Sequence, residues 1–185
     1  MAIDERATLL DVAFTVCTVL DRLGTIAVLT GGSAATYYAS AHYQSMDADF
    51  VFVTRAGDDT NAASAMRDLG FTELGGIYRH PKTRFTVEFP PGPLALGHEL
   101  QKEYETIRRH DEVLHVLSRT QSTMDRLLQF YHWGDRSALR VALAVASGGP
   151  IDLRRIERWS DGERSREKFL EFARRFEEQP PQEDR

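Results

Sequence analysis

The segment Asp47–Thr54 reads DADFVFVT and alternates strictly between two kinds of side chain. Alternation with a period of two is typical of a β-strand whose two faces meet different surroundings. Asp47 and Asp49 share one face with two valines, whereas Ala48 shares the other face with two phenylalanines. The chain therefore has to build a sheet that buries one face of this strand and leaves two aspartates at the start of the other.

The first 118 residues combine this strand with helical patterns and further short strands. Apolar residues recur at helical spacing from Leu9 to Leu23, and Gly24 ends that helix. Two more helices are predicted over 33–41 and 61–69, and other strands over 25–30, 71–74, 77–79, 84–89, 104–109 and 113–118. We therefore predict an α/β core over residues 1–118.

The remainder of the chain is predicted to be helical. Helical periodicity covers residues 121–133, 136–146, 152–159 and 162–176. These segments predict a helical subdomain over 119–177, and the polar, proline-containing end predicts a disordered tail over 178–185. The fold class predicted is α+β, with strands and helices in the first part and a C-terminal helical part.

Charge and composition restrict the class of protein. With 42% hydrophobic residues among 185, the chain can bury a sizeable core, and no apolar run approaches the roughly 18 residues of a membrane span. Residues 1–100 carry 7 basic and 12 acidic side chains, which does not favour non-specific nucleic-acid binding; residues 101–185 carry 16 of each, alternating in sign. Cys17 is the one cysteine, so no disulfide can form within the chain, which fits a reducing compartment. We therefore expect a cytoplasmic protein, and the lack of an apolar span predicts no membrane partner.

Two aspartates at positions i and i+2 of a strand suggest a metal site. Their carboxylates lie on one face about 7 Å apart along the chain, and a divalent cation between them would offset their repulsion. Glu88, in the strand RFTVEF, would add a third carboxylate if that strand lies beside Asp47–Thr54. Carboxylate oxygens suit Mg²⁺. The alternative is a solvated strand end with Glu88 as an exposed edge charge.

The stretch Gly31–Gly32–Ser33 follows a strand and opens a helix. The free N–H groups and the dipole at a helix N-terminus favour an anion, and glycines let a phosphate approach the backbone closely. Ser33 could cap the helix or donate to a phosphate oxygen. The alternative is an ordinary connection between a strand and a helix.

Taken together, these residues match a known pattern. Gly32–Ser33, thirteen intervening residues, Asp47–Ala48–Asp49 and the later Val87–Glu88–Phe89 resemble the signature of the nucleotidyltransferase (polymerase β-like) superfamily over about residues 25–90. The helical half, up to residue 176, is similar to that of small prokaryotic nucleotidyltransferase-like proteins related to the AbiEii-type toxins of toxin–antitoxin systems.

The resemblance implies a nucleotidyltransferase-like mixed sheet and a role for each matching residue. Asp47, Asp49 and Glu88 would be catalytic and hold Mg²⁺. The turn formed by Gly31, Gly32 and Ser33 would bind the phosphates of a nucleoside triphosphate. A Lys–Asp pair on a helix completes the pocket in that group; here Met124 occupies the lysine position, which leaves Asp125 with Arg126. Gln44 lies where relatives often carry a basic residue.

The expected function is Mg²⁺-dependent transfer of a nucleotidyl group from a nucleoside triphosphate to a hydroxyl of an acceptor. tRNA or a protein is the favoured acceptor, and the resemblance adds a role in a toxin–antitoxin system with an antitoxin partner. The alternative is a nucleotidyltransferase fold that acts as a nucleotide-binding or partner-binding protein, which Met124, Gln44 and the acidic first half favour. Nucleotidylation of an antibiotic is a third hypothesis.

Four other features have simpler interpretations. Arg84 shares the face of Glu88 and could either neutralise phosphate charge or pair with an acid. The aromatic run 131–133 is predicted to pack helices together. The segment RHDEVLH, residues 109–115, resembles an RNase spacing but lies in a predicted strand, and Cys17 lies in an apolar stripe that predicts a core position.

Overall fold

A computed structural model describes residues 3–53 and 58–178. Within these ranges the helices are α1 (Leu9–Arg22), α2 (Gly31–Ala39), α3 (Asp58–Asp68), α4 (Arg119–Trp133), α5 (Arg136–Ser147), α6 (Leu153–Gly162) and α7 (Arg166–Glu177). The strands are β1 (Ala27–Leu29), β2 (Asp47–Phe52), β3 (Thr72–Leu74), β4 (Ile77–Arg79), β5 (Thr86–Glu88), β6 (Ala95–Leu96), β7 (Glu99–Leu100), β8 (Glu105–Arg109) and β9 (Glu112–Val116). Except for residue 178, the predicted disordered tail lies outside the described residues.

Seven of the strands form one mixed sheet. Their order is β3-β4-β5-β2-β1-β9-β8, in which β2 pairs with β5 and β1 pairs with β9 in parallel, whereas the other neighbours are antiparallel. Strands β6 and β7 form a separate hairpin that the sequence did not predict, because two-residue strands carry too little alternation to detect. The mixed sheet and its flanking helices confirm the predicted α+β class.

Helix α1 covers one face of the sheet. A capping box between Thr8 and Asp11 starts it, and its apolar stripe is buried. The Thr18 hydroxyl donates to the carbonyl of Val113 at 3.2 Å and accepts from the N–H of Val113 at 2.9 Å, so the helix is fixed to β9. Cys17 is buried, and burial raises its pKa to about 12, which confirms its predicted core position.

Strand β2 shows the predicted two faces. Ala48 and Phe50 are fully buried, whereas Asp47 and Asp49 are partly buried on the opposite face. The Phe50 ring also lies 6.2 Å from the ring of Phe89, centre to centre. The strand ends at Phe52, and the predicted last residue, Thr54, lies outside the described residues.

The C-terminal helices have clear start and stop signals. A capping box formed by Ser118 and Gln121 starts α4 two residues before its predicted start, and Gly134 ends it in a left-handed conformation. Tyr131 stacks on Trp159 at 5.6 Å, as the aromatic prediction requires, whereas Trp133 is 80% exposed and packs little. Every described helix is too short or too polar to cross a membrane.

The packing of β2 gives a first prediction. Replacing the fully buried Phe50 by alanine should lower the free energy of unfolding by about 3–5 kcal/mol, because apolar contact is lost and a cavity is left. Val53→Ala, at a 37% exposed position just after the same strand, is the control and should cost less than about 1 kcal/mol. Urea unfolding of both variants measures the difference, and equal midpoints would contradict this account of the sheet.

Candidate active site

The register of β2 between its two neighbours assembles the candidate site. On one side Leu29 faces Phe50, and the N–H of Thr30 donates to the carbonyl of Asp49 at 2.9 Å, which places the end of β1 beside Asp49. On the other side Asp49 faces Glu88 across the parallel pair with β5. Because directly opposed residues project to the same face of a sheet, Asp49, Glu88 and Asp47 share one face.

The carboxylates of Asp47 and Asp49 have different neighbours. Asp47 faces Thr86 in the register, and the Thr86 hydroxyl donates to Asp47 Oδ1 at 3.4 Å. Asp49 instead lies against the start of α2: a Cβ atom added to Gly31 would stand 2.7 Å from Asp49 Oδ2. Gly31 also has φ +62°, so two separate constraints require glycine at this position.

The other two residues of the predicted phosphate turn have roles in packing. A Cβ atom on Gly32 would stand 2.8 Å from the Tyr43 hydroxyl, so a larger residue would have to displace the end of that side chain. Ser33 is fully buried, and its hydroxyl donates to the carbonyl of Thr30 at 2.7 Å and accepts from the N–H of Asp49 at 3.1 Å. The hydroxyl of Ser33 therefore ties the turn to β2.

Of the two roles considered for Ser33, the structure does not show the helix cap. Helix α2 begins at Gly31, and its N-cap is Thr30, whose side chain makes no capping hydrogen bond. Within the described residues the N–H groups of Gly31 and Gly32 have no hydrogen-bond acceptor. The backbone of the turn, rather than its serine hydroxyl, is what can bind a phosphate oxygen, with the helix dipole adding to the attraction.

Helix α4 brings the Asp125–Arg126 pair to this site. Arg126 Nη2 lies 2.7 Å from Asp125 Oδ2, and the two side chains are 15% and 17% exposed respectively. The charges of both residues influence the pKa of the Asp49 carboxylate, so the pair lies within electrostatic range of it. Met124, which occupies the lysine position of the resemblance, is fully buried in the core.

The electrostatic balance of the site disfavours the ionised form of Asp49. Burial has the largest effect, and the negative charges of Asp47, Glu88 and Asp125 add to it, so that the pKa of Asp49 is raised to about 6. The positive charge of Arg126 lowers the pKa of Asp49, but by less than burial and the three acids raise it. A cation bound among these carboxylates would relieve the conflict.

The residues fit Mg²⁺ in chemistry but do not converge on a common point. Among the described residues, no three His, Cys, Asp or Glu side chains are grouped closely enough to hold a metal ion. Asp47 is directed to Thr86 and Asp49 to Gly31. Hard carboxylate oxygens on adjacent strands are the ligand type that suits Mg²⁺.

Two contributors to the site were missed as site residues in the sequence. Thr86 donates to Asp47, and Thr30 anchors the phosphate turn to β2 through the carbonyl of Asp49. The position of Thr86, two residues before Glu88 on one strand face, was the available signal. Thr30 had no such signal, because its role depends on the pairing of β1 with β2.

Comparison with solved structures identifies the fold as nucleotidyltransferase-like. The crystal structure of an antigenic nucleotidyltransferase-like protein from Paracoccidioides brasiliensis matches with a TM-score of 0.58 and 18% identity over 74% of each chain. The solution structure of the antibiotic-resistance factor ANT(2'')-Ia matches with a TM-score of 0.51 and 14% identity, over 87% of this chain and 94% of that one. No protein-family model and no curated protein matches the sequence.

The contact between Gly31 and Asp49 can be tested with a matched pair of glycines. Gly24 and Gly31 both have positive φ, but an added Cβ meets nothing within 4 Å at Gly24 and the Asp49 carboxylate at Gly31. Both alanine variants should lose about 1–2 kcal/mol through backbone strain. Gly31→Ala should lose a further few tenths to about 1 kcal/mol in urea unfolding, because the methyl group displaces the end of the partly buried Asp49 side chain. Equal losses would show that Asp49 does not lie against the turn.

The raised pKa of Asp49 predicts how stability changes with pH. The folded-state pKa, about 6, lies above the unfolded value near 3.9, so the wild type loses stability as pH rises from about 4 to 6. Asp49→Asn has no such group. It should equal the wild type in stability near pH 4 and exceed it by about 1–2 kcal/mol at pH 7, less than the about 3 kcal/mol of the full pKa shift because solvent screens this partly buried carboxylate.

The control for this experiment is Asp135→Asn, at the N-cap of α5. Hydrogen bonds from Ser137 and Ala138 lower the pKa of Asp135, so this variant should lose stability relative to the wild type as pH rises. Thermal unfolding of the wild type and both variants between pH 4 and 8 measures these differences. With rising pH, Asp49→Asn should gain stability relative to the wild type and Asp135→Asn should lose it. A pH-independent difference between Asp49→Asn and the wild type would contradict the assigned electrostatics.

Proposed function

We propose that the protein is a magnesium-dependent nucleotidyltransferase that moves a nucleotidyl group from a nucleoside triphosphate to a hydroxyl of an acceptor. One observation carries the proposal: the parallel register of β2 and β5 sets Asp49 opposite Glu88 and beside the N-terminus of α2. The likeness to nucleotidyltransferase-like structures supports it.

In this proposal the carboxylates and the turn have complementary tasks. Asp47, Asp49 and Glu88 would hold Mg²⁺, which when bound neutralises phosphate charge and makes an acceptor hydroxyl easier to ionise. The N–H groups of Gly31 and Gly32 would bind the β- and γ-phosphates. Ser33 would keep the turn and β2 in register, so that phosphates and carboxylates stay at a fixed separation.

Glu88 would accept the proton of the acceptor hydroxyl. That oxygen would then form a bond to the α-phosphorus, while the bond from the α-phosphorus to the bridging oxygen breaks and pyrophosphate leaves. Arg126 supplies the positive charge for this step. Its Nε and Nη2 atoms bind Asp125, which fixes the guanidinium and leaves Nη1 for a phosphate oxygen.

The acceptor we favour is tRNA or a protein, and the similarity of the helical half to AbiEii-type proteins suggests a toxin that has an antitoxin partner. A second candidate function is nucleotide or partner binding without turnover; the burial of Met124 favours it, because the lysine of the resemblance is missing from the pocket. A third is nucleotidylation of an antibiotic, since ANT(2'')-Ia is described as an antibiotic-resistance factor.

Calorimetric titration of each nucleoside triphosphate, with and without Mg²⁺, tests the proposal first. We expect binding that requires Mg²⁺ and is lost in Asp47→Ala/Asp49→Ala, because the metal then has a single carboxylate left. Asp68→Ala/Glu178→Ala removes the same charge from exposed positions and should bind like the wild type. Absence of binding to any triphosphate would instead support the partner-binding alternative.

Turnover is tested with Asp49→Asn. Incubation of the protein with α-³²P-labelled triphosphates and total tRNA or a protein extract should label an acceptor, and Asp49→Asn should reduce that labelling at least about 100-fold. The variant should stay folded, because loss of a like charge relieves repulsion. Full activity in Asp49→Asn would show that the site is assigned incorrectly.

A further inference from the structure

A cavity of about 620 Å³ lies beside the candidate active site and takes no part in the mechanism above. We call it the basic pocket, because Arg6, Lys82 and Arg84 line it together with Gln44 and Phe85. Glu5 is the one acidic residue in its lining. The volume is comparable to that of sites that hold small organic ligands.

The charge of this pocket differs from that of its surroundings. The first 100 residues contain 7 basic side chains against 12 acidic ones, yet three of the seven line this single cavity. None of the three forms an ion pair with a described residue, whereas Arg22, Arg109 and Arg126 all do. Three cations without acidic partners around one concave surface attract an anion.

The structure holds one of these cations in place. The Arg84 guanidinium lies 5.0 Å from the centre of the Phe85 ring, a cation–π contact that keeps it at the pocket wall. The two alternatives for Arg84 were pairing with an acid or neutralising a phosphate. Because no described acid forms an ion pair with Arg84, neutralisation of a phosphate is the favoured role.

The basic pocket and the carboxylates lie at the same end of the sheet. Arg84 precedes Thr86 by two residues, at most about 7 Å between Cα atoms, and Thr86 donates to Asp47. Gln44 precedes Asp47 by three residues, and the N–H of Thr86 donates to the carbonyl of Met46 at 3.1 Å. An acceptor hydroxyl placed at the carboxylates would therefore have the basic pocket next to it.

We propose that the basic pocket binds a phosphate group of the acceptor, and that the acceptor is the end of a single-stranded RNA. In such a strand the reactive hydroxyl and the next phosphate are separated by one nucleotide, which suits an acidic catalytic site adjoining a basic one. A protein side chain lacks that phosphate, and a cationic antibiotic would be repelled by three unpaired cations. This inference rests on the proposed function for the identity of the acceptor.

Fluorescence anisotropy tests the proposal without any nucleotide chemistry. The probe is a fluorescein-labelled twelve-nucleotide single-stranded RNA with a free 3′ hydroxyl, titrated with protein in EDTA. Lys82→Gln/Arg84→Gln should weaken binding at least about tenfold. It should also reduce the steepness of the log–log dependence on salt concentration by about 0.7, the contribution of the one phosphate contact that is lost.

Two further variants serve as controls. Arg22→Gln/Arg67→Gln removes the same charge from exposed positions in the same acidic half, outside the pocket, and should bind within about twofold of the wild type. Gln44→Glu adds a negative charge to the pocket and should weaken binding about as much as loss of one cation. Thermal unfolding checks that all variants are folded.

The outcomes separate this proposal from the proposed function. Selective loss of RNA binding in the pocket variants supports the basic pocket. The proposal is overturned if the wild type does not bind RNA, or if the pocket variant and its charge-matched control weaken equally. Because the assay contains neither triphosphate nor Mg²⁺, either result leaves the calorimetric test of the carboxylate site unaffected.

Discussion

The position of β2 between an antiparallel and a parallel neighbour is the constraint on which the rest of this site depends. The antiparallel pair with β1 brings the start of α2 to Asp49, and the parallel pair with β5 brings Glu88 to the same carboxylate. A shift of one residue in either register would turn the aspartates into the core and Phe50 out of it. Burial of Phe50 and Ala48 therefore fixes not only the sheet but also the face on which the acids meet.

The site combines opposing electrostatic effects within one small region. The open N–H groups of α2 and the Arg126 guanidinium favour negative charge, whereas burial and three neighbouring carboxylates disfavour the charge of Asp49. The net effect is unfavourable, as the raised pKa of Asp49 shows. A fold selected for stability alone would gain by a neutral residue at this position. An arrangement that costs stability unless a cation arrives is typical of a binding site rather than of a structural ion pair.

The sequence predicted those parts of the fold that local pattern determines. The alternation in DADFVFVT, the helical stripe of α1 and the α4–α7 series all lie where expected, within one to four residues at their ends. The sequence did not determine what depends on contacts between distant segments. No local pattern in the sequence predicts these contacts. They include the hydrogen bonds of the Ser33 hydroxyl to Thr30 and Asp49, the hydrogen bond from Thr86 to Asp47, and the small β6–β7 hairpin. The sequence also left open whether Ser33 caps α2, because a serine can cap a helix only if the helix begins after it, and α2 begins at Gly31.

The distribution of charge along this end of the sheet suggests how an acidic protein could bind an acceptor that carries a phosphate. A uniformly basic surface would attract nucleic acid over many positions without orienting it. Here Arg6, Lys82 and Arg84 are grouped around one pocket, and the neighbouring carboxylates repel phosphate unless a cation is bound. On the proposals made above, an acceptor strand would bind productively in one orientation, with its phosphate at the basic pocket and its hydroxyl at the carboxylates. Binding of the metal would then reduce the repulsion at the second position, so that the acceptor would bind more tightly once the metal is in place.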